Sequence, residues 1–216
     1  MISTLKQSII EALHHVNYQP QHVKPTFEIE CRLGYPVCNG KQRFDPDIGK
    51  TNFMKIKNAL SETGFVMKYE QTTDKIYKVP SDKGLPMNVR ITSYKDEPNK
   101  WVSVIKNKVY NVDHPNIQEN GLVRVSVSTE TPYPNFVAPT RSETTLPFVR
   151  KKKRTSFIAD IFSIDMSEVN VNSKITYEVE VELKNTDYVL NEMPISDIAD
   201  AFVQRLQVVL DAISQK

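Results

Sequence analysis

The chain has 216 residues, 39% hydrophobic and 25% charged, a balance that excludes a disordered or fibrous protein and suffices for one buried core. Its 28 Lys plus Arg nearly cancel 26 Asp plus Glu, so a uniformly basic coat for nucleic acid is excluded and the positions of the charges carry the information. No composition break divides the sequence, which predicts a single domain over 1–216.

The first predicted element is an amphipathic helix over 3–16, where Leu5, Ile9, Leu13 and Val16 recur at helical spacing. A strand follows over 27–33. A second helix is expected over 51–63, burying Phe53, Ile56 and Leu60, with Gly64 placed to end it. Period-two alternation predicts further strands over 87–93, 101–109 and 122–130. Pro132, Pro134, Pro139 and Pro147 then crowd a stretch read as an irregular loop over 131–146. Three more strands are expected over 148–157, 162–169 and 176–183. A C-terminal helix begins near Ser196, taken as its N-cap, and carries Ile198, Phe202, Leu206, Val209 and Ile213 on one stripe. Antiparallel strands therefore dominate, with helices at both ends.

No apolar run reaches the roughly 20 residues that span a bilayer, and the N-terminus lacks a signal-like hydrophobic segment, so an intracellular protein without membrane partners is expected. Cys31 and Cys38 stand outside any CxxC or Cys/His spacing, which suits a reducing compartment and argues against structural zinc. His14, His15, His22 and His114 form no spaced ligand set. Gly49-Lys50-Thr51 is similar to the end of a P-loop, but Phe44 stands where the first glycine belongs.

Side chains at i, i+2 and i+4 share a strand face. In the strand 27–33, Glu28, Glu30 and Arg32 lie on one face and Phe27, Ile29, Cys31 and Leu33 on the other. Near the C-terminus, Glu178, Glu180 and Glu182 oppose Tyr177, Val179, Val181 and Leu183 in the same way. One reading is a pair of ordinary amphipathic strands with glutamates in solvent. The other is a closed barrel with its apolar face outward against the helices, so that carboxylates from both ends of the chain converge inside. Such carboxylates, without His or Cys, suit a hard divalent ion, Mg²⁺ or Mn²⁺. Arg150, Lys152 and Arg154 share a face in the same way, and Arg90, Lys106 and Arg124 sit within other strands. The basic run alone reads equally as a solvated patch or a nuclear-localisation-like signal; joined to the glutamates in one barrel, these cations make a triphosphate site.

Taken in order, these segments resemble the metal-dependent RNA 5′-triphosphatases of fungi, protozoa and large DNA viruses, a branch of the triphosphate tunnel metalloenzymes. The strand F-E-I-E-C-R from Phe27 is similar to the family's first glutamate strand, and Y-E-V-E-V-E-L from Tyr177 to its last. V-R-V-S-V-S-T-E-T-P from Val123 resembles the strand that carries a basic residue and a glutamate six positions on. R-K-K-K-R-T-S-F from Arg150 resembles R-x-K-x-R-x-S-aromatic, and S-I-D-M-S from Ser163 resembles R-I-D-[IL]-T, with Ser163 in place of the arginine of fungal relatives. The resemblance covers about 26–183, and within the family it is nearest to the N-terminal domain of giant-virus capping enzymes of mimivirus type.

The resemblance implies an α+β fold, an eight-stranded antiparallel β-barrel with flanking helices, and hydrolysis of the γ-phosphate of triphosphate-ended RNA as the first step of mRNA capping. It implies a divalent metal, Mg²⁺ or Mn²⁺, held by Glu28, Glu30 and Glu182 with Glu180 and Glu178 in support. Arg90, Lys106, Lys152 and Arg154 are the expected catalytic cations and Glu130 the residue that positions water. Arg124, Arg150, Arg32 and Lys108 are expected to contact substrate or pair with the glutamates. The K-x-D-G motif of guanylyltransferases is missing, so a fused or bound guanylyltransferase is an expected partner, beside the 5′-triphosphate end of RNA and, as a further expected ligand, NTP. A viral relative implies the cytoplasm of an infected cell or the virion. The rival readings are a tunnel phosphohydrolase for free NTP, polyphosphate or thiamine triphosphate, and a noncatalytic RNA-binding barrel.

Overall fold

The computed structural model describes residues 2–39, 41–80, 86–115, 121–134, 136 and 147–214. Helix α1 (Ile2–Asn17) and a 3₁₀ turn (Gln21–Thr26) lead into β1 (Phe27–Asn39), β2 (Lys41–Asp45), α2 (Gly49–Ser61) and β3 (Val66–Val79). There follow β4 (Met87–Tyr94), β5 (Trp101–Pro115), β6 (Leu122–Pro132), β7 (Phe148–Ala159), β8 (Phe162–Val171) and β9 (Lys174–Leu183). Two helices, α3 (Thr186–Glu192) and α4 (Ile195–Ser214), complete the order.

All strand pairings are antiparallel. The order β1-β6-β5-β4-β3-β7-β8-β9 closes on itself through a β1–β9 pairing, giving an eight-stranded barrel with β2 added outside β1. Short turns set much of the register. The β8–β9 hairpin turns on Asn172 and Ser173, both at positive φ, the conformation that a two-residue turn between right-twisted strands requires. At Gly34 a Cβ would lie 2.3 Å from the Asp45 carbonyl oxygen and 2.5 Å from the Phe44 ring, so only glycine lets the β1–β2 hairpin close this tightly.

The apolar core lies between the outer barrel wall and the helices, not within the barrel. Ile29, Cys31 and Leu33 of β1, Val125 and Val127 of β6, and Val179 and Val181 of β9 pack toward Ile9, Leu13 and Val16 of α1 and toward Ile198, Phe202 and Leu206 of α4. Phe162 meets Phe202 edge to face at 4.7 Å. Full burial of one such side chain stabilises by about 1.5–3 kcal/mol, so this layer fixes which strand face turns outward. By alternation, the opposite faces of β1 and β9 turn into the barrel. No helix among the described residues is long and apolar enough to cross a membrane.

Several expectations are met with shifted ends. The first helix spans Ile2–Asn17, and the second ends at Ser61 with Gly64 at φ +75° in the turn beyond. Ser196 does not cap α4. It lies in the first turn and donates to the Asp197 carboxylate, while the Pro194 carbonyl accepts from the Asp197 and Ile198 N–H groups. The expected loop 131–146 begins two residues late, because β6 runs to Pro132; beyond it, only Tyr133, Pro134 and Phe136 are described. Strands β2 and β3 and helix α3 were not among the expected elements.

Candidate functional site

A cavity of about 370 Å³ runs through the barrel interior. Alternation places Glu28, Glu30 and Arg32 of β1 on its wall, and the β1–β9 register sets Glu30 opposite Glu182 and Arg32 opposite Glu180. Glu28 and Glu182, 154 residues apart in sequence, thus share one enclosed space, with side chains 25% and 17% exposed. The solvated-strand reading of these glutamates is replaced by the inward one, because the apolar face of each strand is taken by the helices.

Cations line the facing wall. Arg150, Lys152 and Arg154 project inward from β7, Arg90 from β4 and Lys106 from β5. Each meets a carboxylate or a like charge. Lys106 donates to Glu28 and lies 3.3 Å from Glu130. Arg90 Nη2 donates to Glu130 at 2.6 Å. Arg32 Nη2 bridges Glu30 at 3.1 Å and Glu180 at 2.5 Å. Arg150 donates to Asp74 at 2.8 Å, and Arg154 pairs with Asp165 at 2.9 Å, the aspartate being 2% exposed. Lys152 has Arg150 and Arg154 on the same strand face.

These surroundings move the titrations apart. Burial, and then repulsion from Arg154 and Arg150, pulls Lys152 down to about 8. Burial lifts Glu182 to about 7, with Lys184 opposing and Asp165 and Glu28 adding to the rise. Glu30 is raised by burial and by Glu180. Burial acts the same way on Glu130 and Glu180, but Arg90 and Lys106 outweigh it at Glu130, and Arg32 and Lys152 at Glu180, so both stay below the usual carboxylate range.

Of the residues expected in the site, Glu28, Glu30, Glu180, Glu182, Glu130, Arg32, Arg90, Lys106, Arg150, Lys152 and Arg154 line this cavity. Three do not. Arg124 is held by both oxygens of Asp113, at 2.6 and 2.8 Å, with its guanidinium 4.1 Å from the Phe44 ring. Lys108 is exposed, next to a bulge that shifts the β5–β6 register between Lys108 and Tyr110. Glu178 is buried opposite Ser167, outside the cavity lining, and is raised by burial and Glu180.

The cavity also contains residues that the alternation argument missed. Glu70, Thr72 and Asp74 come from β3, Thr92 and Tyr94 from β4, and Lys184 from just beyond β9. Asp165, of the same parity as Ser163 and Ser167 in β8, is buried behind the lining against Arg154. Ser163 stands opposite Glu182 with its Oγ buried and without a hydrogen-bond partner. Serine here brings no charge to Glu182, and Lys184, 3.1 Å away, is the cation it contacts.

The donor chemistry fits a hard divalent cation: Glu28, Glu30 and Glu182 offer carboxylate oxygens in one cavity, with no His or Cys among its lining residues. Among the described residues no three acidic, His or Cys groups are gathered into a closed ligand cluster. Each of the three glutamates is instead turned to a basic neighbour, Lys106, Arg32 or Lys184. A second concavity of about 420 Å³, which shares Thr72, Tyr94 and Lys152 with the tunnel, opens beside Lys95, Lys151, Lys153 and Glu168. It lacks converging carboxylates, so the interior cavity is the candidate active site.

Among solved structures the chain is similar to S. pombe Pct1 RNA triphosphatase, at 17% identity and TM-score 0.74, covering 96% of this chain and 92% of that one. It is also similar to the mimivirus capping enzyme triphosphatase in its monoclinic form, at 14% identity and TM-score 0.62, covering 94% and 96%. At these identities the likeness is one of fold. No curated protein sequence matches the chain. The family model described as "mRNA capping enzyme, beta chain" matches residues 39–214, most of the chain and all but the first of its barrel strands. The chain therefore belongs to the mRNA capping enzyme β-chain family.

Proposed function

We propose that this chain is a divalent-metal-dependent RNA 5′-triphosphatase that converts a triphosphate RNA end to a diphosphate end, the first step of mRNA capping. The observation that carries the reading is the meeting of Glu28, Glu30 and Glu182, from opposite ends of the chain, with Arg90, Lys106, Lys152 and Arg154 in one enclosed cavity. Phosphoryl transfer needs little covalent chemistry from a protein; it needs oppositely charged groups fixed around the transferring group. This barrel supplies them on rigid strands.

Glu28, Glu30 and Glu182 would hold the metal, Mg²⁺ or Mn²⁺, with Glu180 supporting them through Arg32. When bound, it supplies positive charge to the phosphate oxygens as charge develops on them. Lys106, Arg90 and Arg154 grip the triphosphate, exchanging their present carboxylate partners for phosphate oxygens, and Lys152 joins them. Arg150, fixed by Asp74, extends this wall. Glu130 orients the attacking water. Its lowered pKa makes it a weak base, which is sufficient where the transition state is loose and the proton ends on the released phosphate. The bond from the γ-phosphorus to the β–γ bridging oxygen breaks as the water oxygen bonds to that phosphorus. No covalent intermediate with the protein is required.

The whole of 1–216 would act as one catalytic unit, supplying product to a guanylyltransferase, fused or bound, inside the cell. The test is phosphate release from triphosphate-ended RNA with and without Mg²⁺ or Mn²⁺, for the natural sequence and for Glu30→Ala and Glu182→Ala. Turnover that depends on metal and is lost in both variants, with the fold retained, is expected. Unchanged turnover in both, or release from ATP and never from RNA, would defeat the assignment.

A further inference from the structure

We infer that a recess at one end of the tunnel seats the first nucleoside of the substrate, with Tyr188 as the surface on which its base stacks. The inference rests on the triphosphatase reading and adds to it where the uncharged part of the substrate lies. The recess has a volume of about 430 Å³, within the roughly 300–1,000 Å³ of small-ligand sites. It shares Glu28, Glu182 and Lys184 with the tunnel and is completed by Asn185, Asp187 and Tyr188. A ligand in the tunnel that emerges past Glu28 and Glu182 therefore enters it directly.

Charge sorts the substrate between the two spaces. The tunnel wall holds seven cations beside seven carboxylates, and the five cations gathered on β4, β5 and β7 suit phosphates. Beyond the proposed metal ligands Glu28 and Glu182, the recess adds one carboxylate, Asp187, and no cation besides Lys184, so it offers an acceptor to a sugar hydroxyl and no further phosphate site. It also adds what the tunnel wall mostly lacks, an exposed ring, that of Tyr188.

Tyr188 is 65% exposed yet stands on a fixed support. Asn185 takes a left-handed conformation, φ 51° and ψ 46°, that turns the chain from β9 into α3. Thr186 Oγ1 then donates to the Phe27 carbonyl at 3.2 Å, the Lys184 N–H donates to the Ile161 carbonyl at 2.7 Å, and Val189 and Leu190 are buried. A ring carried on backbone that is fixed before binding costs less ordering when a base stacks on it than one on a loose loop. Stacking accepts any base, as an enzyme acting on RNA ends of varied sequence requires.

The experiment measures kcat and KM of the full chain with Mn²⁺ for a short triphosphate-ended RNA, GTP and inorganic tripolyphosphate. Natural protein is compared with Tyr188→Ala and Tyr188→Phe. For the alanine variant, KM should rise about 5- to 30-fold for RNA and GTP, a loss of the size expected for one stacked base, with kcat and the tripolyphosphate KM within about twofold. The phenylalanine variant should match the natural protein. Equal shifts for tripolyphosphate and the nucleoside substrates, or no shift in any, overturn the recess. If the natural protein releases phosphate from none of them, the triphosphatase reading fails. Calorimetric titration with a nonhydrolysable GTP analogue and with tripolyphosphate then decides the recess alone, since Tyr188→Ala must weaken the first and not the second.

Discussion

Replacing Glu182 by glutamine should make the metal-free protein more stable at alkaline pH while removing its turnover. The Glu182 carboxyl is raised from an ordinary 4.5 to about 7, chiefly by burial. At about 1.4 kcal/mol per tenfold change, that rise puts about 3 kcal/mol against its charged form. A folded-state value above the unfolded one means that the cost is small below about pH 4.5, grows between about 4.5 and 7, and is complete above. Glutamine removes the charge and keeps the shape. It also gives up the contact with Lys184, whose side chain is 42% exposed, and an ion pair so open to solvent is worth at most about 1 kcal/mol.

The net gain expected at pH 8 is about 2–3 kcal/mol, or roughly 4–12 °C in Tm for a chain of this size. Thermal unfolding in EDTA at pH 8 and pH 5 measures it, and the gap should narrow by more than half at pH 5. Added Mn²⁺ should raise the Tm of the natural protein and leave Glu182→Gln nearly unmoved. A variant less stable than the natural protein at pH 8, or a difference that ignores pH, would refute the reasoning.

Two other predictions concern the cationic wall. Because Lys152 lies near 8 in the free protein and an anion beside it restores its charge, tripolyphosphate binding at pH 8 without metal should take up about half a proton. Calorimetry in buffers of different ionisation enthalpy reads the uptake, and proton release would contradict it. Asp165→Ala leaves Arg154 as a buried charge without its partner, so a stability loss of about 3–5 kcal/mol is expected in urea unfolding. Asp165→Asn, which keeps an acceptor, should lose less; equal losses would show that charge neutralisation is the whole effect.

The barrel was legible where each strand had one apolar face. In β1 and β9 alternation grouped the glutamates on one face but left solvent and barrel interior both open; the packing of α1 and α4 on the other face decides for the interior. Alternation failed at β3, which lies away from the helices and buries Thr72 and Asp74 on its inner side without an apolar counterpart. Asp74 and Glu70 were lost with it. Helix α3 has seven residues and follows a left-handed Asn185 whose side chain makes no cap hydrogen bond, too little for a periodic signal. Parity also broke inside a correctly placed strand. Strand β5 skips Val109 in its pairing with β6, so Asn111 and Asp113 continue the face that Lys106 began. Asp113 thereby reaches Arg124 and holds it. A one-residue bulge leaves no mark in hydropathy, yet it decides which cations are available to a ligand.

The pairing inside the barrel also bears on how the site works. Enclosed ion pairs add little to stability compared with well-packed apolar residues, because each charge must first lose its water. A barrel filled with aliphatic side chains would satisfy the same strands at lower cost. Lys106 with Glu28, Arg90 with Glu130 and Arg32 with Glu30 and Glu180 are thus best understood as partners held in readiness. Under the proposed function, a triphosphate that takes Lys106 leaves Glu28 needing a cation, and a metal that takes Glu28 leaves Lys106 needing an anion. Each ligand removes the cost of admitting the other, so the charge network couples the two binding events without any movement of the strands.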